Sequence, residues 1–255
     1  MPSSTQHRSP APPLLALDSA LFLDFDGTLA EFAPRPDSVP FDPSLPPLLA
    51  ALSTLLGGAL AVITGRPLAE IDVHLAPVRV AGAGLHGAEV RLGADEPVRR
   101  QAGPSLVGLI ESLRSRFASD PRLLIEDKGA VVALHFRQAP ERARECIEAL
   151  EGLAASPELE VIAGHSVVEA RPRGIDKGQA LKTLTVEPPF AGRYPVFVGD
   201  DRSDEDGFAL AQQRGGFGVK VGAGPSTARY RCPSVQGVHA WLQASLRAGQ
   251  REAQG

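Results

Sequence analysis

Two aspartates separated by a single residue follow an apolar run in FLDFDGTL, residues 22–29. Side chains two positions apart on an extended chain point to the same side, so the carboxylates of Asp24 and Asp26 are predicted to face one crevice. Gly27 permits a sharp turn directly after them. A calcium loop does not fit, because a loop starting at Asp24 puts Arg35 where the bidentate glutamate belongs. Taken alone, the pattern also fits an ordinary Asp-Gly turn at a strand end.

Other residues suited to phosphate chemistry follow apolar segments elsewhere in the chain. They are Thr64 in VITGR, Lys177 in GIDKGQAL, and Asp200, Asp201 and Asp204 in GDDRSDED. In open parallel sheets, ligands bind outside the carboxyl ends of the strands, so these separate segments are expected to converge on one crevice.

The acidic stretch 199–206 needs a counterion if its carboxylates meet those of FLDFDGTL. Two such charges 4 Å apart repel by about 4 kcal/mol at an effective dielectric of roughly 20. Hard oxygen ligands next to a phosphate group favour Mg²⁺. A solvated acidic loop is the simpler interpretation, and it suits Glu205 and Asp206.

Short apolar strands alternate with amphipathic helices near both ends of the chain. ALFLDF, a leucine-rich helix that ends at Gly57 and Gly58, and ALAVIT form a β-α-β unit. A helix over 178–184, the strand YPVFVG, a helix after Ser203, the strand GFGVKV and a final helix repeat the alternation. This order predicts an α/β fold with a doubly wound, mostly parallel Rossmann-like core.

The middle of the chain has a different order of elements. A helix over 106–117 precedes LLIED and AVVALHF, and a helix over 143–150 precedes LEVI and SVVEA. Helix-strand-strand repeated twice predicts an α+β cap domain inserted into the core. The expected boundaries are a disordered tail at 1–14, a core at 15–98 and 172–250, and a cap at 99–171.

Composition and charge limit the kinds of partner. The net charge of −4 gives no general attraction for nucleic acid or anionic lipid, and no apolar run approaches the roughly 20 residues of a membrane span. The Pro/Ser-rich start lacks an apolar signal core, so a cytoplasmic protein is expected. We also expect a monomer whose partner is a small molecule. Cys146 and Cys232 lack zinc-ligand or disulfide spacing and are expected to be buried apolar residues.

The motifs built on Asp24, Thr64, Lys177 and Asp200, in this order, resemble those of the haloacid-dehalogenase-like phosphohydrolases. The resemblance, together with carboxylate chemistry, makes Asp24 the nucleophile that forms an aspartyl phosphate. Asp26 would protonate the departing oxygen and then deprotonate the attacking water.

The remaining residues of these motifs would bind the phosphoryl group and the metal. Thr64 and Lys177 would contact the phosphoryl oxygens. The resemblance implies Mg²⁺ bound by Asp24, by Asp200 directly, by Asp204 through water, and by the main-chain carbonyl of Asp26.

LLIEDKG, SVVEARPRGIDKG, AGLHG and GDDRSDED are similar to segments of the trehalose-6-phosphate phosphatase family. By that resemblance Glu126, Lys128 and Glu169 bind sugar hydroxyls, although each alone also fits a charge on a solvated face. Arg66 is a candidate for orienting the active-site loop or for contacting substrate. The alternative is that it is a surface charge at the start of a helix. His86 is a candidate for contact with substrate or phosphate. The alternative is a histidine with a purely structural role.

The resemblance implies Mg²⁺-dependent hydrolysis of trehalose 6-phosphate to trehalose and phosphate. A related sugar phosphatase or a phosphosugar mutase with the same core is the alternative. A non-catalytic regulatory homologue is disfavoured, because Asp24, Asp26, Lys177 and Asp200 are all present.

Overall fold

The structure, a computed structural model, describes residues 10–31, 42–100, 103–164 and 166–254. The chain forms two compact units, one of Met1–Arg99 with Asp176–Gly255 and one of Arg100–Ile175. In chain order the elements are β1 (Ser19–Leu23), α1 (Leu45–Leu55), β2 (Leu60–Ile63), α2 (Leu68–Leu75), β3 (Ala81–Gly84), β4 (Glu89–Arg91), β5 (Arg99–Arg100), α3 (Val107–Phe117), β6 (Leu124–Asp127), β7 (Val132–His135), α4 (Ala143–Leu153), β8 (Leu159–Ala163), β9 (Val167–Pro172), α5 (Lys177–Thr185), β10 (Tyr194–Gly199), α6 (Glu205–Gln213), β11 (Phe217–Val221), β12 (Tyr230–Cys232) and α7 (Val235–Glu252).

The first unit is built on an eight-stranded sheet in the order β12-β11-β10-β1-β2-β3-β4-β5. Neighbours from β12 to β3 run parallel, and β4 is antiparallel to β3. Every residue of β1 and β2 is buried, as expected where helices cover both faces of a parallel sheet. The predicted fold class is therefore confirmed for this part of the chain.

The strand YPVFVG has the predicted bounds, whereas β3 and β4 were not predicted, and α2 was anticipated only as a helix that starts near Arg66. The sequence of β3, AGAG, lacks the branched side chains that are typical of strands. Its glycines are required by close packing. A Cβ on Gly82 would lie 2.8 Å from the carbonyl oxygen of Val62, and one on Gly84 would lie 2.8 Å from that of Arg66. Packing therefore outweighs intrinsic strand propensity here.

The second unit has the predicted helix-strand-strand order twice, with an antiparallel sheet β6-β7-β9-β8. Alternate residues of its strands pack with α3 and α4 in one apolar cluster, among them Val132, Leu134 and Val168. Because side chains alternate along a strand, Glu126 and Glu169 lie on the opposite face of this sheet. The exact domain boundaries given by the sequence remain a prediction.

The first nine positions of the predicted tail lie outside the described residues. The carbonyl oxygen of Pro10 accepts a hydrogen bond from the backbone N–H of Arg231, and that of Pro13 accepts one from the indole of Trp241. Both cysteines are free and buried, which confirms the prediction for them. Among the described residues, no helix has the length and apolar character needed to cross a membrane.

Candidate active site

The carboxyl ends of β1, β2 and β10 bring together residues from distant parts of the sequence. Asp24 follows β1, and its backbone N–H donates to the carbonyl oxygen of Val198 on β10 at 2.9 Å. Asp200 follows β10 and Thr64 follows β2. Since these strands are parallel neighbours, the three polar residues lie at the same edge of the sheet.

Three carboxylates form a tight cluster at this edge. One oxygen each of Asp24, Asp200 and Asp204 lies within 4.8 Å of the others. Asp24 is 4% exposed and Asp204 is fully buried. Oxygen donors at this spacing can hold a divalent cation, and the sequence predicted this convergence.

Lys177 neutralises part of this charge from the first residue of α5. Its Nζ lies 2.7 Å from Oδ1 of Asp24 and 2.7 Å from Oδ1 of Asp204. Burial favours the neutral amine, but the charges of Asp204 and Asp24 outweigh this effect and raise the pKa of Lys177 above its ordinary value. The two carboxylates therefore favour the charged form of this lysine.

A single lysine does not balance three carboxylates. Burial, with the charges of Asp204 and Asp200, raises the pKa of Asp24 well above its usual range despite the opposing charge of Lys177. Burial and the charges of Asp204 and Asp201 raise the pKa of Asp200 to about 7. Without a further cation the cluster takes up protons, so its chemistry suits a divalent metal ion.

The loop after β10 is held in shape by its own carboxylates. Oδ2 of Asp204 accepts the backbone N–H groups of Asp200 at 2.9 Å and Asp201 at 3.0 Å. The Asp201 side chain accepts the N–H and hydroxyl of Ser203, both at 2.7 Å. Ser203 thus serves the capping interaction. Asp201 shapes the loop, while Asp200 faces the cluster.

Asp26 takes part in a different interaction from Asp24. Its Oδ2 lies 2.6 Å from Nε of Arg66, and its Oδ1 lies 2.8 Å from Nη2 of the same arginine. Nη1 of Arg66 contacts Glu70 at 3.2 Å. The carboxylate of Asp26 is therefore paired with Arg66, because a guanidinium matches both carboxylate oxygens, whereas the carboxylates of Asp24, Asp200 and Asp204 form the tight cluster.

The residues after β2 are braced by the turn that follows β3. The Thr64 hydroxyl accepts the backbone N–H of Arg66 at 3.1 Å. The carbonyl oxygens of Thr64 and Arg66 accept the N–H groups of His86 (2.9 Å) and Leu85 (3.0 Å). Leu85 and His86 have φ angles of 50° and 59°, which L residues rarely adopt. A Cβ on Gly65 would lie 2.8 Å from Nε2 of His86, so the imidazole packs directly against this loop.

In the second unit, the three predicted sugar-binding residues lie together. Nζ of Lys128 is 3.0 Å from Oε1 of Glu169 and 3.8 Å from Oε2 of Glu126. Nε2 of His135 is 2.8 Å from Oε2 of Glu126. Burial opposes ionisation of Glu126, but the His135 contact and the Lys128 charge outweigh it and lower its pKa. The group combines ionised acceptors with an ammonium donor, which suits polyhydroxyl ligands.

The sequence model of the trehalose-phosphatase family matches residues 22–236. This chain belongs to the trehalose-phosphatase family. The trehalose-6-phosphate phosphatase of Escherichia coli strain K12 is 37% identical over 242 residues, which make up 94% of this chain and 91% of that protein. A probable trehalose-phosphate phosphatase of Sinorhizobium fredii is 43% identical over 206 residues, or 80% of this chain and 77% of that protein.

The fold of this trehalose-phosphatase family member is also found in solved structures. The C-terminal domain of the C. albicans trehalose-6-phosphate phosphatase matches it with a TM-score of 0.81. The match covers 95% of this chain and 99% of that one at 21% identity, and it bears on the fold alone. The family resemblance read from the motifs is confirmed by these comparisons.

Two buried charged residues of this trehalose-phosphatase family member were not anticipated as parts of the site. Glu89, 4% exposed, accepts the backbone N–H of Leu68 at 2.9 Å and so supports the start of α2 after Arg66. The Lys220 ammonium donates to the carbonyl oxygen of Asp200. In the sequence, each is a single charged residue between apolar neighbours, AEV for Glu89 and VKV for Lys220. Such a pattern could have indicated a buried charge that needs a partner.

Proposed function

We propose that this chain, a phosphoric monoester hydrolase, hydrolyses trehalose 6-phosphate to trehalose and phosphate, with Mg²⁺ as its cofactor. The observation that carries the proposal is the buried group of Asp24, Lys177 and Asp204 at the carboxyl edge of the sheet, with Asp200 beside it. The name of the Escherichia coli relative states trehalose-6-phosphate phosphatase activity, and that of the Sinorhizobium fredii relative states probable trehalose-phosphate phosphatase activity.

Asp24 is the proposed nucleophile. One of its oxygens attacks phosphorus, an Asp24–phosphorus bond forms, and the bond from phosphorus to the sugar oxygen breaks. Asp26 gives a proton to that sugar oxygen, and trehalose leaves. In the second step a water molecule gives a proton to Asp26 and attacks phosphorus, so phosphate leaves and the Asp24 carboxylate is restored.

Lys177 and Thr64 are assigned to the transferring phosphoryl group. Lys177 is 3% exposed and already lies 2.7 Å from the attacking carboxylate, so it can hold Asp24 and a phosphoryl oxygen at the same time. Thr64 is 1% exposed and follows the neighbouring strand. Fixed donors of this kind stabilise negative charge without reorganisation.

Asp24, Asp200, Asp204 and the main-chain carbonyl of Asp26 are assigned to Mg²⁺. The ion, when bound, offsets the repulsion between the carboxylates and the phosphate dianion. Both oxygens of Asp204 already accept hydrogen bonds, from Lys177 and from two backbone N–H groups, which supports contact through water for this residue. Burial and the charges of Asp204 and Asp201 raise the pKa of Asp200, and a divalent cation beside it would favour the ionised form.

Glu126, Lys128 and Glu169 are assigned to the hydroxyls of the sugar, with His135 orienting Glu126. His86, whose imidazole packs against the loop after β2, is assigned to contact with the substrate or its phosphate. We place the reaction in the cytoplasm, where two free, buried cysteines are unremarkable.

Phosphate release from trehalose 6-phosphate tests the proposal directly. We expect release with Mg²⁺ and none after treatment with a chelator, with activity restored by Mg²⁺. Glucose 6-phosphate, sucrose 6-phosphate and mannosyl-phosphoglycerate serve as competing substrates. Faster release from any of them than from trehalose 6-phosphate would contradict the assigned substrate while leaving phosphatase chemistry in place.

A further inference from the structure

The guanidinium of Arg66 contacts two acidic side chains through all three of its nitrogens. Nε and Nη2 form two parallel contacts to Asp26, at 2.6 and 2.8 Å, and Nη1 contacts Glu70 at 3.2 Å. The guanidinium carbon lies 5.7 Å from the centre of the Phe25 ring, which precedes Asp26 directly. The side chain is 12% exposed.

The backbone of Arg66 is held as firmly as its side chain. Its N–H donates to the Thr64 hydroxyl at 3.1 Å, and its carbonyl oxygen accepts the N–H of Leu85 at 3.0 Å. These contacts connect the arginine to the loop that carries the proposed phosphate ligand Thr64. A long side chain with this many contacts has little freedom to follow a ligand.

The parallel contacts give the Asp26 carboxylate one orientation. A group that transfers protons must be placed within a fraction of an ångström, and a displacement of about 1 Å can slow a reaction about a hundredfold. A paired guanidinium is the side chain best suited to fix a carboxylate, because both members are planar and their hydrogen bonds are parallel.

We propose that Arg66 is a positioning residue, which acts through Asp26 rather than by binding the sugar or the phosphate. The inference rests on the proposed function, in which Asp26 transfers protons.

This role predicts separate effects on turnover and on binding. Arg66→Met should lower kcat for trehalose 6-phosphate by about 10- to 100-fold, because general acid–base catalysis contributes 10²–10⁴-fold and depends on orientation. Affinity should change by less than about twofold. Affinity is measured by calorimetry in the Asp24→Asn background, where turnover is expected to be at least about a thousandfold slower. The comparison is between Asp24→Asn and the same chain also carrying Arg66→Met.

The chain contains a matched control in its second unit. Arg142 makes the same parallel contacts to Glu145 (2.9 and 2.8 Å), a third contact to Asp120 at 2.9 Å, and lies 5.3 Å from the centre of the Phe117 ring. Arg142→Met removes an equivalent set of contacts from residues that have no assigned part in the reaction. It should leave kcat within about twofold of wild type.

Arg66→Lys is a second test variant, which keeps the inference testable if Arg66→Met does not fold. Lysine keeps the charge but lacks the parallel pair of donors, so kcat should still fall by at least about fivefold. Denaturant unfolding verifies that each variant is folded under assay conditions.

Other results would overturn the inference. A tenfold weaker affinity with kcat unchanged would make Arg66 a substrate ligand. Full activity in Arg66→Lys would show that charge alone is needed, and equal losses in Arg66→Met and Arg142→Met would show a general loss of stability. If wild type releases no phosphate from trehalose 6-phosphate, the proposed function fails, which is a different outcome from normal wild-type activity with an unaffected arginine variant.

Discussion

The ammonium of Lys177 lies 2.7 Å from the carboxylate of Asp24, although 153 positions separate the two residues in the chain. The same nitrogen lies 2.7 Å from Asp204. The lysine begins α5 and the aspartate follows β1, so this contact forms only when the two terminal parts of the core come together. It joins the proposed nucleophile to the acidic loop.

Replacement of Lys177 by Met should destabilise the protein and stop turnover. Removal of one member of a buried ion pair leaves an uncompensated charge and typically costs about 3–5 kcal/mol. Urea unfolding in the presence of chelator measures this loss. Lys182→Met, an exposed lysine of the same helix, is the control and should change the free energy of unfolding by at most about 0.5 kcal/mol. Equal unfolding curves for Lys177→Met and wild type would show that the pair is not needed for stability.

Asp24→Asn should lower phosphate release from trehalose 6-phosphate by at least about a thousandfold, because an amide oxygen cannot replace the attacking carboxylate. Since burial opposes ionisation of Asp24, the neutral side chain should not reduce stability. Circular dichroism should match that of wild type. The exposed Asp95→Asn is the matched control and should keep full activity. Residual turnover near that of wild type would contradict the nucleophilic role.

The stability of the metal-free protein should fall as pH rises from about 4 to about 7. The pKa of Asp200 is about 7 in the folded protein and about 3.8 in the unfolded chain, so the folded state binds more protons within this window. Stability therefore decreases through it and levels off above it. Urea midpoints with chelator at several pH values, compared between wild type and Asp200→Asn, isolate this contribution. A wild-type midpoint that rises relative to that of Asp200→Asn would have the wrong sign.

Gly27→Ala should both destabilise the fold and disturb Asp200. Gly27 has φ of +78°, and a Cβ there would lie 2.4 Å from the carboxylate carbon of Asp200. Backbone strain alone costs about 1–3 kcal/mol. Gly192→Ala is the control, because Gly192 also has φ of +78° but a Cβ there would meet nothing within 4 Å.

The difference between the two glycine variants reports the contact with Asp200. We expect Gly27→Ala to lower Mg²⁺ affinity, measured by calorimetry, and Gly192→Ala to leave it unchanged. Equal affinities in both variants would show that Asp200 moves without consequence for the metal.

Glu169→Gln should raise KM for trehalose 6-phosphate by about 10-fold or more with a smaller change in kcat. Hydrogen bonds to charged groups contribute about 1.5–3 kcal/mol, and this residue is assigned to the sugar rather than to the phosphoryl group. Steady-state kinetics give both constants. Glu148→Gln, which removes an exposed ion-pair partner of Arg144 on α4, is the control. A loss confined to kcat would contradict the assignment of Glu169.

The local patterns were sufficient for much of the fold. Periodic leucines placed α1, the apolar run YPVFVG placed β10, and helix-strand-strand order placed the elements of the second unit. These features are local, because the spacing of apolar residues within one short segment shows which face of a helix or strand is buried. The strand AGAG was not predicted. Its glycines are needed because backbone carbonyl groups of neighbouring segments lie too close for a side chain, and the local sequence gives no sign of those groups.

The motifs by themselves determined the family and named Asp24, Thr64, Lys177 and Asp200, since chemistry selects residue types and a strand end is visible in sequence. Only the tertiary structure decided which charges meet. It separated Asp26, paired with Arg66, from the cluster of Asp24, Asp200 and Asp204. Two carboxylates two positions apart look equivalent in an extended chain, but the cations that reach them come from other strands and helices, and the packing of those elements decides which cation reaches which carboxylate.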